Sequence, residues 1–241
     1  MVYSVIGDEV KGLSQYNPIP RGCVFYAPFW HPSLRGEVFK SADKFRHTLT
    51  SFGSPTWGNT GRSFNGTGNQ YIEIDSALTT LDNLWDGGGS FIIWFTPSAI
   101  TTIHGLWGKG ANTYLWLRGS SGAGQIQLGQ AFSGGNSSWR TSASGLLVND
   151  TPVMLTVLYN ADADANDPTI YLNLTQQSLS TDLNFSGTRT TDAGTNTLLA
   201  KEQNNYALNG ILHENGRWKQ KTLTLAEITK IYNATKWRYS L

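Results

Sequence analysis

Cysteine is nearly missing from this chain. Cys23 is the single one in 241 residues, so no disulfide can form within it and stability has to come from packing. Charge of one sign is missing as well: 18 Lys and Arg stand against 17 Asp and Glu, a formal net charge of +1. With no basic excess to gather phosphates, nucleic acid is not an expected partner. Long apolar runs are absent. The most apolar one, residues 91–95, is far too short to cross a bilayer, and no membrane partner is expected. The first ten residues have no basic start and no continuous apolar stretch, so they do not read as a secretory signal. Four histidines (His31, His47, His104, His213) show no ligand spacing, and with one cysteine they propose no zinc site. A Ser-His-Asp reading has no nucleophile-elbow pattern behind it.

What is present is glycine, 26 residues of it, and aromatic side chains at 12%. That composition suits many short strands joined by tight turns in one large all-β domain. Residues 22–30 read as a strand stopped at Pro28. Residues 61–75 read as an extended piece ending at Phe64, a glycine- and asparagine-rich turn, and a second strand in which Ile72 and Ile74 share one face and Glu73 takes the other. Residues 90–96 are apolar on both faces, as in a central strand. Further strands are expected at 103–110, 114–118, 125–129, 196–200 and 208–218, with a hairpin formed by 152–159 and 169–173. The period then changes. Thr224 and Glu227 are spaced as a capping box, and Leu225, Ile228, Ile231 and Tyr232 fall on one helical face.

Several of these strings, in this order, resemble segments of the concanavalin A-like, laminin-G-like jelly rolls. Residues 24–29 (Val-Phe-Tyr-Ala-Pro-Phe) are similar to the first core strand of that family, and 64–74 to its Phe-Asp-Gly…Tyr-Ile-Glu-Ile segment. Residues 90–97, 152–173 and 208–218 resemble its later strands, and 223–232 its closing helix. The resemblance spans about residues 22–236. It implies an all-β, two-sheet antiparallel jelly-roll sandwich with one short C-terminal helix, running over 22–241, while residues 1–21, polar and turn-prone, read as an N-terminal arm ahead of it. That fold hosts lectins, glycosidases, adhesion modules and virion proteins, so the fold alone does not decide the task.

The expected use is non-catalytic binding or assembly, as a virion structural protein of capsid-decoration or fibre type, located in the virion or outside cells after assembly or lysis. Its partners would be a capsid or other structural protein, or a surface glycan, with self-association through residues 1–21. The alternative is a carbohydrate-binding lectin, and a glycoside hydrolase stands behind both. Hydrolysis on this fold needs two carboxylates about 5–5.5 Å apart, and Glu73 lacks an evident partner. Trp107, Trp116 and Trp139 lie near turns and are candidates for stacking on sugar rings, while bulky aromatics also fill sandwich interiors. No cofactor is expected. Asp162, Asp164 and Asp167 alternate with small residues in one loop and are the candidates for holding calcium, although a solvated hairpin tip would carry the same acids.

Overall fold

A computed structural model describes residues 19–77, 79–110, 113–119 and 123–239. It is a sandwich of two antiparallel sheets closed by one C-terminal helix, as expected. The strands are β1 (Cys23–Pro28), β2 (Val38–Lys40), β3 (Thr48–Phe52), β4 (Thr56–Trp57), β5 (Arg62–Asn65), β6 (Tyr71–Ile74), β7 (Gly89–Pro97), β8 (His104–Lys109), β9 (Tyr114–Leu117), β10 (Ile126–Phe132), β11 (Gly135–Thr141), β12 (Val153–Tyr159), β13 (Thr169–Leu172), β14 (Thr175–Gln176), β15 (Leu179–Leu183), β16 (Thr197–Leu199) and β17 (Asn209–Lys219). The helix α1 spans Leu225–Thr235. One sheet runs β14-β13-β12-β7-β17-β5-β4 with β1 also on β17, and the other runs β15-β11-β10-β9-β8-β16-β6-β3-β2. The inward residues of both sheets, among them Phe25, Leu49, Ile72, Ile74, Phe91, Phe95, Trp107, Leu128 and Leu155, form one continuous core.

Two readings of the sequence need correction. The two extended pieces read at 61–75, which a tight turn would pair as a hairpin, do not pair with each other: β5 pairs with β4 and β17 in the eight-stranded sheet, whereas β6 pairs with β3 and β16 in the other. The turn at 66–70 therefore carries the chain from one sheet to the other. Along α1, Leu225 is 52% exposed and leaves the apolar face to Ile228 and Ile231. The capping box itself is formed, with Thr224 Oγ1 accepting from Glu227 N at 3.2 Å and Glu227 Oε2 accepting from Thr224 N at 2.9 Å. Of the arm expected over 1–21, residues 1–18 lie outside the described residues. Ile19 packs against the helix-side cluster, and Pro20 O accepts from Trp218 Nε1 at 3.1 Å.

The longest strand, β17, organises the eight-stranded sheet. One edge pairs with β7 along its length, and the other pairs with β5 through Leu212 and with β1 from Glu214 onward. The register on β7 shifts between Leu212 and Glu214, so His213 sits in a bulge. Because of this shift Glu214 and Trp218 face α1 while Arg217 faces the core. Glu214 accepts from Tyr26, Trp30, Arg238 and Tyr239, which ties the chain end to the sheet. Arg217 lies between the sheets with its guanidinium 5.1 Å from the Phe25 ring, 5.0 Å from Phe91 and 5.4 Å from Trp107, and burial lowers its pKa to about 9. Burial likewise pushes the Cys23 thiol up to about 12, and it donates to Phe25 O at 3.0 Å.

His213 Nδ1 lies 2.6 Å from Thr60 O, and Nε2 lies 2.8 Å from Thr96 Oγ1. A carbonyl can only accept, so Nδ1 carries the hydrogen and Nε2 accepts from the threonine hydroxyl. Burial lowers this imidazole from 6.5 to about 4. The titratable ring packed on it, Tyr239, is pushed well above 10 by burial and by Glu214, and does not titrate in that window. The unfolded chain takes up the proton first as the pH falls. The stabilisation is therefore complete above about 6.5 and is lost on the way down to about 4, a change of about 3 kcal/mol. Denaturant unfolding of wild type should lose about that much more stability between pH 7 and pH 4 than His213→Gln does. Equal losses in the two proteins would contradict the assignment.

Candidate functional site

The three tryptophans singled out in the sequence part company. Trp107 faces inward, paired with Leu115 and Leu199, and is 1% exposed. Trp139 faces inward opposite Leu128 and is 2% exposed, so neither ring can receive a ligand. With Trp85 and Tyr159 they form a chain of ring contacts through the core: Trp107–Trp85 at 6.0 Å, Trp85–Tyr159 at 5.9 Å and Tyr159–Trp139 at 5.2 Å. Trp116 alone of the three lies on the outer face of the nine-stranded sheet. It stacks on Tyr114 at 3.9 Å and meets the edge of Tyr206 at 5.5 Å. Gly129 allows this, because a Cβ there would lie 2.3 Å from Tyr114 Cζ.

The three aspartates are also put to separate uses. Asp162 accepts from Gly87 N at 3.0 Å, Asp164 from Gly187 N at 2.8 Å, and Asp167 from the Trp139 indole at 2.6 Å. Each ties the loop to a different neighbour. Among the described residues no group of three His, Cys, Asp or Glu side chains could hold a metal ion. Glu73 stands on the outer face of β6 between Thr50 and Leu198, with no carboxylate directly across either strand.

On that outer face the structure forms a cleft that the sequence did not announce. It has a volume of about 530 Å³ and is lined by Phe52, Gly53, Gly68, Asn69, Tyr71, Lys201 and Asn205. Phe52 ends β3 and Tyr71 begins β6. They are direct cross-strand partners, and their rings stack at 4.8 Å with 14° between the planes. Lys201 follows β16 on the other side of β6, with its ammonium 4.3 Å from the Tyr71 ring centroid. The result is an ordered column, Phe52 to Tyr71 to Lys201, with aromatic surface at one end and a cation at the other. Phe52 is 37% exposed.

Three loops build the rim by approaching more closely than side chains allow. A Cβ on Gly53, at φ 68°, would lie 2.3 Å from Asn69 O, and one on Gly68 would lie 3.1 Å from Asn205 O. The 65–70 loop is tied within itself and to its neighbour: Asn65 Oδ1 accepts from Thr67 N at 3.0 Å, and Gln70 Nε2 donates to Gly53 O at 3.0 Å. The 201–206 loop folds around Glu202, which is 1% exposed and accepts from Tyr206 N and Asn204 Nδ2, both at 3.0 Å. It lies across β8, where Gly105 and Gly108 leave it room. Ala200 enters this loop in left-handed backbone at φ 59°, a conformation that alanine adopts at a cost of about 1–2 kcal/mol.

Among the described residues, the side chains of Asn69 and Asn205 make no hydrogen bond, and the Lys201 ammonium makes no hydrogen bond or ion pair. Burial and the nearby Glu73 raise the Tyr71 phenol above 10, so at neutral pH it is a hydroxyl that can donate and accept. The cleft thus combines an exposed aromatic surface with two amides, a phenol and an ammonium whose hydrogen-bonding capacity is open to solvent. Phe52, Tyr71 and Lys201 were not picked out in the sequence. The available signal was a Phe-Gly pair and a lone lysine in a glycine- and asparagine-rich setting, and only strand pairing brings them together.

No protein-family model matches the chain, and no curated protein matches it by sequence. Its likeness is to solved structures. The receptor-binding domain of botulinum neurotoxin C/D mosaic serotype aligns with a TM-score of 0.60 at 11% identity, over 89% of this chain and 51% of that one. This chain therefore spans about half the length of that domain. A Trypanosoma rangeli sialidase aligns with a TM-score of 0.62 at 11% identity, over 92% of this chain and 34% of the enzyme. Domain 4 of AbnA, a GH43 extracellular arabinanase from Geobacillus stearothermophilus solved with arabinotriose, aligns with a TM-score of 0.51 at 15% identity, over 87% and 98% of the two chains. At these identities the likeness is one of fold: a two-sheet antiparallel β-sandwich.

Proposed function

We propose that this chain is a non-catalytic carbohydrate-binding sandwich that takes its glycan in the cleft at Phe52, Tyr71, Asn69, Asn205 and Lys201. The observation that carries this reading is the grouping of exposed aromatic surface with open amide, hydroxyl and ammonium groups around one open depression of the outer face. A sugar ring offers an apolar face for stacking and hydroxyls for hydrogen bonds, and ligand sites combine apolar walls with a few placed polar groups in recesses of about 300–1,000 Å³. Fold neighbours lend support at a coarser level. One was solved with arabinotriose, and a botulinum neurotoxin serotype D ligand-binding domain was solved with N-acetylneuraminic acid. The separation of Glu73 from any facing carboxylate supports binding without hydrolysis. The open groups of the cleft suit a small polar ligand better than a flat capsid contact, so the lectin reading is preferred to virion assembly.

Glycan-array screening followed by titration tests this directly. Phe52→Ala should keep the fold and weaken glycan binding by at least about tenfold, the loss of one stacking surface worth roughly 1.4 kcal/mol. Undiminished binding in Phe52→Ala and in Asn205→Ala would move the site elsewhere. Because Asp162, Asp164 and Asp167 each serve a separate loop contact, binding is expected to be independent of calcium. Adding calcium or a chelator should change neither the glycan affinity nor the unfolding midpoint. A calcium-dependent rise in midpoint that Asp164→Asn removes would contradict this.

A further inference from the structure

We infer that the cleft selects acidic glycans, placing an anionic group of the glycan against the Lys201 ammonium. This rests on the carbohydrate reading of the same cleft and adds the chemical class of its ligand.

Of the seven residues that line the recess, one carries a charge, Lys201, and none is acidic. Surface lysines ordinarily swing through solvent, and ordering one costs side-chain entropy. Here the ammonium is already seated 4.3 Å from the Tyr71 centroid, in a column that Phe52 closes from the opposite side of β6. A cation over an aromatic face is steadied without being neutralised, because the ring supplies a quadrupole and not a counter-charge. The two carboxylates nearby in sequence do not supply one either. Glu202 is turned into its own loop, with both oxygens accepting from Asn204 and Tyr206, and Glu73, though near enough to raise the Tyr71 phenol, makes no ion pair with Lys201. Asn69 and Asn205, which line the same recess, can donate to a second oxygen of a bound carboxylate or sulfate. A neutral sugar would fill the aromatic end and leave the ammonium without its strongest partner, so charge on the ligand separates good from poor binders.

The test is an array on which each carboxylated oligosaccharide is printed beside its methyl ester and each sulfated one beside its desulfated form. The wild-type chain, Lys201→Gln, Lys201→Arg and Phe52→Ala are compared at low and high salt. The expected result is that charged forms bind about tenfold better than their neutral counterparts, and that the preference shrinks in high salt. Lys201→Gln should abolish the preference and Lys201→Arg should keep most of it, whereas Phe52→Ala should weaken charged and neutral forms alike. Whether carboxylated or sulfated glycans respond identifies the anion. Equal binding of charged and neutral forms, or a preference that survives in Lys201→Gln, overturns the inference and leaves the carbohydrate reading standing. Failure of the wild-type chain to bind any printed glycan overturns both.

Discussion

The cleft depends on how β6 is held between β3 and β16. In this ladder Ile74 stands between Leu49 and Thr197, and Ile72 between Ser51 and Leu199, all facing the core. Alternation then forces Tyr71 and Glu73 outward and puts Phe52 directly opposite Tyr71. A slip of one residue would drive Tyr71 into the interior and bring Ile72 to the surface. The burial of Ile72 and Ile74, at 0% and 1% exposure, is what penalises that slip. The aromatic column is thus a consequence of core packing on the opposite face of the same short strand. The glycine contacts at 53 and 68 bring the three rim loops together above it.

The two faces of the sandwich have different fates for a related reason. On the eight-stranded sheet the outer face carries Ile92, Trp94, Met154 and Trp218, and α1 covers it with Ile228 and Ile231. The His213 bulge makes this possible, because it turns Glu214 outward to anchor Arg238 and Tyr239. On the nine-stranded sheet the outer face carries Tyr71, Glu73, Tyr114, Trp116 and Arg140, and no helix lies over it among the described residues. Arg140 and Arg118 share Asp182 there, the first at 2.9 Å and the second at 3.9 Å, which keeps that part of the face polar with one positive charge in excess. The sandwich therefore spends one face on its own stability and leaves the other without a covering helix among the described residues.

Much of the architecture was legible in the sequence because it is written in local patterns. The apolar run at 90–96, the 152–173 hairpin and the Thr224–Glu227 cap all fold as expected. The site was less legible, for reasons that follow from pairing. Trp107, Trp116 and Trp139 look alike in sequence, each near a glycine turn. Which of them faces solvent is decided by strand phase, and the register shift between Gly105 and Trp107 alters that phase within one strand. Asp162, Asp164 and Asp167 look like a ligand cluster until their partners, Gly87, Gly187 and Trp139, are brought in from distant segments. Phe52, Tyr71 and Lys201 are separated by up to 149 positions and become neighbours only through the β3–β6–β16 ladder.

Amide chemical-shift mapping of the chain with its tightest-binding glycan locates the binding face. Perturbations are expected to concentrate at residues 52–53, 68–71 and 201–206, with the α1 face and the 160–168 loop unaffected. Perturbations centred on either of those two regions, with 52–53 and 201–206 silent, would contradict binding in the cleft.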